Sequence, residues 1–194
     1  LSDAQTIETL LERMEVHFLG NQDTQVHFAL LTDHLDAPSE TMPGDESLLR
    51  QARVGVEALN AKYPGTDGQR FLLLHRPRRW NTRDRTWMGH ERKRGKLGDL
   101  NTLLRGGSTG AFDLIVGGID ELAPVRYVVT LDADTRLPRD AVRAMVATMA
   151  HPLNKARFAA DGARVTGGYG ILQPRMATTL SAGRRSRYAA LCGN

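Results

Sequence analysis

The chain has 194 residues, 41% of them hydrophobic and 25% charged, with a net charge of +4. That is long enough for one domain with a real core and ordinary for a soluble globular protein. A single cysteine, Cys192, excludes an internal disulfide framework and suggests a reducing compartment, and no apolar run reaches the roughly 18 residues of a membrane span. No signal peptide is recognisable. The chain begins at Leu1 and closes on Cys-Gly-Asn without a clear terminator, so it reads as a piece of something larger.

Ser2-Asp-Ala-Gln5 forms a possible capping box, and Ile7, Leu10, Leu11, Met14 and Phe18 follow at helical spacing up to a stop at Gly20-Asn21. Val26 to Leu31 reads as a buried strand that runs on to an acid, Asp33, before a turn-rich stretch over 34–44. Leu48, Leu49, Ala52, Val56 and Leu59 mark a second helix, and Phe71 to Leu74 a short buried strand. A basic stretch with both tryptophans, Trp80 and Trp87, comes next. Leu97, Leu100, Leu103 and Leu104 give a short helix face closed by Gly106-Gly107, and 112–116 reads as another short strand. Val125 to Leu131 is apolar, β-branched and bounded, the pattern of a buried strand. Val142, Met145, Val146 and Met149 form a helix face, and Tyr169 to Pro174 reads as a last strand. Strands alternating with helices predict an α/β domain over 1–194 with a mostly parallel sheet.

The expected strand at 125–131 runs into Asp132 and Asp134, with one small residue between them, and a Pro-started helical pattern follows. Acids at the carboxyl edge of an open α/β sheet lie where ligands bind. Two carboxylates on one tight turn can share a hard cation, Mg²⁺ or Mn²⁺, whose shell is completed by water and phosphates. Asp-x-Asp also occurs simply as turn chemistry.

Charge is unevenly spread. Residues 76–105 carry ten Lys/Arg against three acids, a net +7 that leaves the remainder of the chain at −3. Such a block implies an anionic partner, or else a solvated loop. The stretch from Gly89 to Leu97 fails as a phosphate loop. Five residues separate Gly89 from Gly95-Lys96 where four are needed, and Leu97 stands where a hydroxyl should bind metal. Gly95-Lys96 opening a helix still favours an anion, with Arg92 and Arg94 adding charge, and Asp33 is placed to accept hydrogen bonds from a base or ribose. The six histidines show no metal-ligand spacing. A basic nucleotide- or nucleic-acid-binding module without catalysis is the alternative, but no recognised nucleic-acid motif accompanies the tryptophans.

Several stretches together resemble the glycosyltransferase domain of cyclic β-1,2-glucan synthases. They are Phe28-Ala-Leu-Leu-Thr-Asp33, Trp87-Met-Gly-His-Glu-Arg-Lys-Arg-Gly-Lys96 with Asn101 beyond it, Leu131-Asp-Ala-Asp-Thr-Arg-Leu-Pro138, Ala150-His-Pro-Leu-Asn154 and Gly168-Tyr-Gly-Ile-Leu-Gln-Pro-Arg175. The resemblance implies a GT-A-like (Rossmann-like) three-layer sandwich, here truncated at both ends. It implies an inverting, metal-dependent glucosyltransferase that takes UDP-glucose as donor and a glucan as acceptor, with no nucleic-acid partner. Asp132 and Asp134 would hold Mg²⁺ or Mn²⁺ and the diphosphate, Asp33 would meet the uridine, Arg94, Gly95, Lys96 and Asn101 would lie beside the nucleotide, and Gln173 would lie near the sugar. The general base is expected downstream of Asn194 and a first strand before Leu1, so the chain itself would hold no catalytic residue. The parent would be a large enzyme whose transferase domain sits at the cytoplasmic face of the bacterial inner membrane, this piece itself being soluble.

Overall fold

The computed structural model describes residues 1–65, 68–119 and 122–175. Two compact units emerge, Leu1–Val142 and Arg143–Asn194, with the boundary falling at the start of a helix. No helix among the described residues is long and apolar enough to cross a membrane.

The first unit is built on a short sheet. Helix α1 (Ala4–Gly20) leads to strand β1 (Phe28–Asp33), helix α2 (Asp45–Lys62) and strand β2 (Phe71–Arg76). Strands β1 and β2 run parallel, joined through α2 as parallel strands require. Every residue of β2 is buried, and Phe71, Leu72, Leu73 and Leu74 are completely so. The alternation of a strand sends these side chains to two faces. Phe71 and Leu73 pack with Ile7, Met14 and Phe18 of α1 and with Ala52, Val56 and Leu59 of α2. Leu72 and Leu74 pack on the opposite face with Leu103, Phe112 and Leu122. A strand buried on both faces reads as a continuous apolar run, which is why 71–74 was recognisable from four residues. Tearing a fully buried leucine out of such a core costs about 2–5 kcal/mol.

The helix caps sharpen the expected boundaries. Asp3, not Ser2, caps α1: its carboxylate accepts from the Thr6 N–H at 2.8 Å, and Ser2 donates to Asp3. Helix α3 spans Arg92–Leu104, beginning five residues earlier than the leucine face alone indicates.

Other elements depart from expectation. Strands β3 (Arg79–Asn81) and β4 (Thr86–Met88) form a hairpin inside the basic stretch, with Trp80 opposite Trp87. Strand β5 (Leu114–Val116) joins β2 antiparallel, giving the sheet order β1-β2-β5. The described sheet is therefore mixed rather than mostly parallel. The expected strand at 125–131 does not form. Its backbone belongs to no strand, and Tyr127, Val128, Val129 and Leu131 are all exposed. An extended apolar stretch needs a neighbouring strand to satisfy its backbone groups. Among the described residues no strand pairs with it, and β1 is paired on one edge only.

The second unit takes in most of α4 (Ala141–Ala150) and a small hairpin of β6 (Arg157–Phe158) and β7 (Val165–Gly167). Asn154 stabilises the turn after α4: its amide donates to the Thr148 carbonyl at 2.9 Å and its carbonyl accepts from Tyr169 at 2.9 Å. The strand expected at 169–174 is reduced to a single bridge between Lys155 and Tyr169. Cys192 lies outside the described residues.

Candidate functional site

The site begins with strand register. In the parallel β1–β2 pair, Asp33 falls opposite Arg76. Arg76 donates through Nε to Asp33 Oδ1 at 2.8 Å and through Nη2 to Oδ2 at 3.2 Å. Its Nη1 donates to Asp99 Oδ2 at 2.6 Å, and Nη2 also reaches the carbonyls of His90 and Arg92 at 3.1 and 3.2 Å. The Arg76 side chain is only 3% exposed. Burial alone would lower its pKa, but the bonds to Asp33 and Asp99 outweigh burial and hold it above its ordinary value. One buried cation thus joins β1, β2 and α3, with all three of its nitrogens donating.

That hub explains the loop before α3. Glu91 and Arg92 adopt consecutive left-handed conformations, at φ 50° and 48°. Non-glycine residues in this region cost about 1–3 kcal/mol each and persist where surroundings over-determine them. Here Arg76 holds the carbonyls on either side. Two glycines permit the close packing. A Cβ on Gly95 would lie 2.0 Å from the His90 carbonyl oxygen, and one on Gly89 2.6 Å from the Asp33 carboxyl carbon.

The role expected of Gly95 changes accordingly. Its N–H is not presented to an anion; it already donates to the Glu91 carbonyl at 3.1 Å, inside the first turn of α3. What faces outward from that turn is side-chain charge. Lys96 sits 3.4 Å from Asp33 Oδ2. Lys93, one turn earlier on the same helix face, donates to the carboxylate of Asp132. Arg94 points away and pairs with Glu91 at 3.6 Å, while Arg92 meets Asp36 at 2.7 Å. Much of the basic block is therefore matched by acids within the fold.

The acidic turn hangs from α1. Arg13 donates to the Ala133 carbonyl, between the two carboxylates. Asn21, buried at the end of α1, donates to the Pro138 carbonyl at 3.2 Å and accepts from the Val142 N–H at 3.0 Å. The Asp132 carbonyl accepts from the Thr135 N–H at 2.9 Å, closing the turn. Asp132 and Asp134 are both exposed.

Two carboxylates on an exposed turn are suitable hard donors. Among the described residues, no group of three or more His, Cys, Asp or Glu side chains is assembled to hold a metal. A cation taken by this pair would need oxygen ligands brought by something else, which is how nucleotide-borne Mg²⁺ is usually held.

Beneath Asp33 lies a buried polar pair. Thr32 Oγ1 and His75 Nδ1 are 2.9 Å apart, and the His75 ring packs edge-on against His34 at 4.4 Å. Burial pushes the His75 pKa down to about 3, so the ring is neutral in the fold. Arg78, also buried, bonds Asp45 and the carbonyls of Leu35 and Glu40. Its hydrogen bonds hold the Asp45 carboxyl below its usual range.

Of the residues expected at the site, the structure brings Asp33, Lys96 and Asp132 together along one turn of α3, with Asp134 on the same turn as Asp132. Asn101 lies further along α3, exposed, and among the described residues its side chain bonds none of these groups. Gln173 lies in the second unit, exposed and outside any strand. Sequence reasoning missed Arg76, Arg13 and Lys93. The spacing of Lys93 and Lys96 was a usable signal, since residues three apart share a helix face.

No family model matches the chain. It is similar to a cyclic beta-(1,2)-glucan synthase, NdvB, of Rhizobium meliloti (strain 1021), with 42% identity over 177 residues. The match takes in 91% of this chain but only 6% of that relative. Identity of this extent shows common descent with one segment of a much longer enzyme.

Proposed function

We propose that this homologue of a glucan-synthase segment is the donor-binding part of a glycosyltransferase of GT-A type that uses UDP-glucose to build a β-1,2-glucan. The observation that carries the reading is the convergence on α3: Lys96 at Asp33 and Lys93 at Asp132 join the two acids that a nucleotide sugar requires. The similarity to a cyclic beta-(1,2)-glucan synthase supports the product class. The acidic turn supports a divalent cation, Mg²⁺ or Mn²⁺, carried in on the diphosphate.

In this reading Asp33 faces the nucleoside, held in orientation by Arg76 rather than free to turn. Lys96 and the first turn of α3 supply positive charge to the diphosphate, and such preorganised charge stabilises the departing UDP. Asp132 and Asp134 would hold the cation, whose contribution when bound is charge neutralisation at the leaving group. An α-linked donor and a β-linked product require one in-line displacement with inversion. The base that takes the acceptor proton, and the contacts of Gln173 with the sugar, belong to a larger assembly that includes the acceptor site. The whole parent enzyme, placed at the inner membrane, is the setting this proposal assumes.

The parent enzyme assayed with UDP-glucose tests the proposal. Wild type should yield β-configured glucan, and Asp132→Ala should lose at least about a hundredfold in rate, the scale of removing one preorganised electrostatic group. Unchanged glucan synthesis by Asp132→Ala, or an α-configured product, would contradict it.

A further inference from the structure

The two lysines of α3 are held very differently. Lys96 is 24% exposed and rests on Asp33, itself 12% exposed and fixed by Arg76. Lys93 is 60% exposed and its partner Asp132 is 62% exposed. An ion pair this open to water is weak and parts readily. Asp132 is also one of the two carboxylates suited to a cation, so Lys93 and a cation compete for the same oxygens. Lys93 shares the first turn of α3 with Arg92, paired with Asp36, and Arg94, paired with Glu91, so this positive end of a helix dipole is neutralised only by solvent-open pairs that an anion can compete for.

We infer that Lys93 is an exchangeable stand-in for the cation: it neutralises Asp132 when the site is empty, and on arrival of the metal nucleotide it leaves Asp132 and binds the diphosphate. The inference rests on the donor-binding reading and adds to it a residue and a coupling. Metal binding at Asp132 frees an ammonium for phosphate, and phosphate binding by Lys93 bares Asp132 for metal. Each ligand therefore raises the affinity for the other by the same factor, as linkage demands.

The test uses the full chain and two probes, Mn²⁺ alone and UDP with and without Mn²⁺, titrated against wild type, Lys93→Met and Lys93→Arg. In Lys93→Met, Mn²⁺ alone should bind more tightly, because its competitor is gone. UDP in the presence of Mn²⁺ should bind about tenfold more weakly, and the enhancement of UDP binding by Mn²⁺ should shrink by a similar factor. Lys93→Arg should recover most of the coupling. A residue that only props the fold could not tighten one ligand while loosening the other. If wild type shows metal-enhanced UDP binding and Lys93→Met matches it in both titrations, the exchange is overturned while donor binding stands. If wild type binds no UDP with or without Mn²⁺, both fall.

Discussion

Asp33 and Asp132 are the two acids on which the site depends, and their settings are opposite. Asp33 ends a strand paired in register, packed under Gly89 and bonded to a buried arginine. Asp132 follows an exposed stretch that pairs with no strand among the described residues and is positioned by a few polar contacts to α1 and α3. The contrast teaches that one part of the site is set by the core itself, while the other is hung beside it. Mutations around Asp33 should therefore be felt by the fold, and mutations around Asp132 by ligand binding alone.

The largest effect should come from Arg76→Met. It strands two carboxylates and two carbonyls, and loss of one partner of a buried pair costs about 3–5 kcal/mol. A denaturant titration reads this, and Arg76→Lys should recover only part, since a point charge cannot serve every acceptor of a guanidinium. Gly95→Ala comes next. A methyl 2.0 Å from the His90 carbonyl forces the loop away, at about 1–3 kcal/mol, and weaker UDP binding should accompany it.

Acid should act on the same side of the comparison. His75 binds its proton far less readily in the fold than at its ordinary value of 6.5, its pKa being pushed down to about 3. Between those values the unfolded chain binds more protons than the native one, so stability falls as pH drops, by up to about 1.4 kcal/mol per unit for this single group. The loss starts near pH 6.5 and ends near pH 3. Thermal unfolding of wild type and His75→Gln between pH 4 and 8 should show a shallower slope in the variant. Smallest on stability is Asp132→Ala, which should leave the unfolding midpoint within about 0.5 kcal/mol of wild type, as for most exposed positions.

The same contrast explains what the sequence revealed. Helices α1 and α2 and strands β1 and β2 were legible because burial writes apolar periodicity into them. The stretch 125–131 carries an equally good strand pattern, yet a pattern states what a strand would bury, not whether a neighbour exists to pair with it. Strand β5 was placed correctly, but its antiparallel pairing depends on a partner edge that periodicity does not encode. The carboxylates and the basic turn were legible from residue chemistry. The Arg76 hub was not, because in the sequence Arg76 is one of ten similar cations and only the register opposite Asp33 singles it out. Lys93 was hidden the same way, between Arg92 and Arg94.

The most direct test of the central claim, that an acidic turn and a basic helix turn together bind a metal-borne nucleoside diphosphate, is calorimetric titration of the chain with UDP, with and without Mn²⁺, beside Asp132→Ala. Wild type should bind UDP more tightly with Mn²⁺, and Asp132→Ala should lose that enhancement while remaining folded. UDP binding indifferent both to Mn²⁺ and to Asp132→Ala, or DNA bound more tightly than UDP, would contradict it.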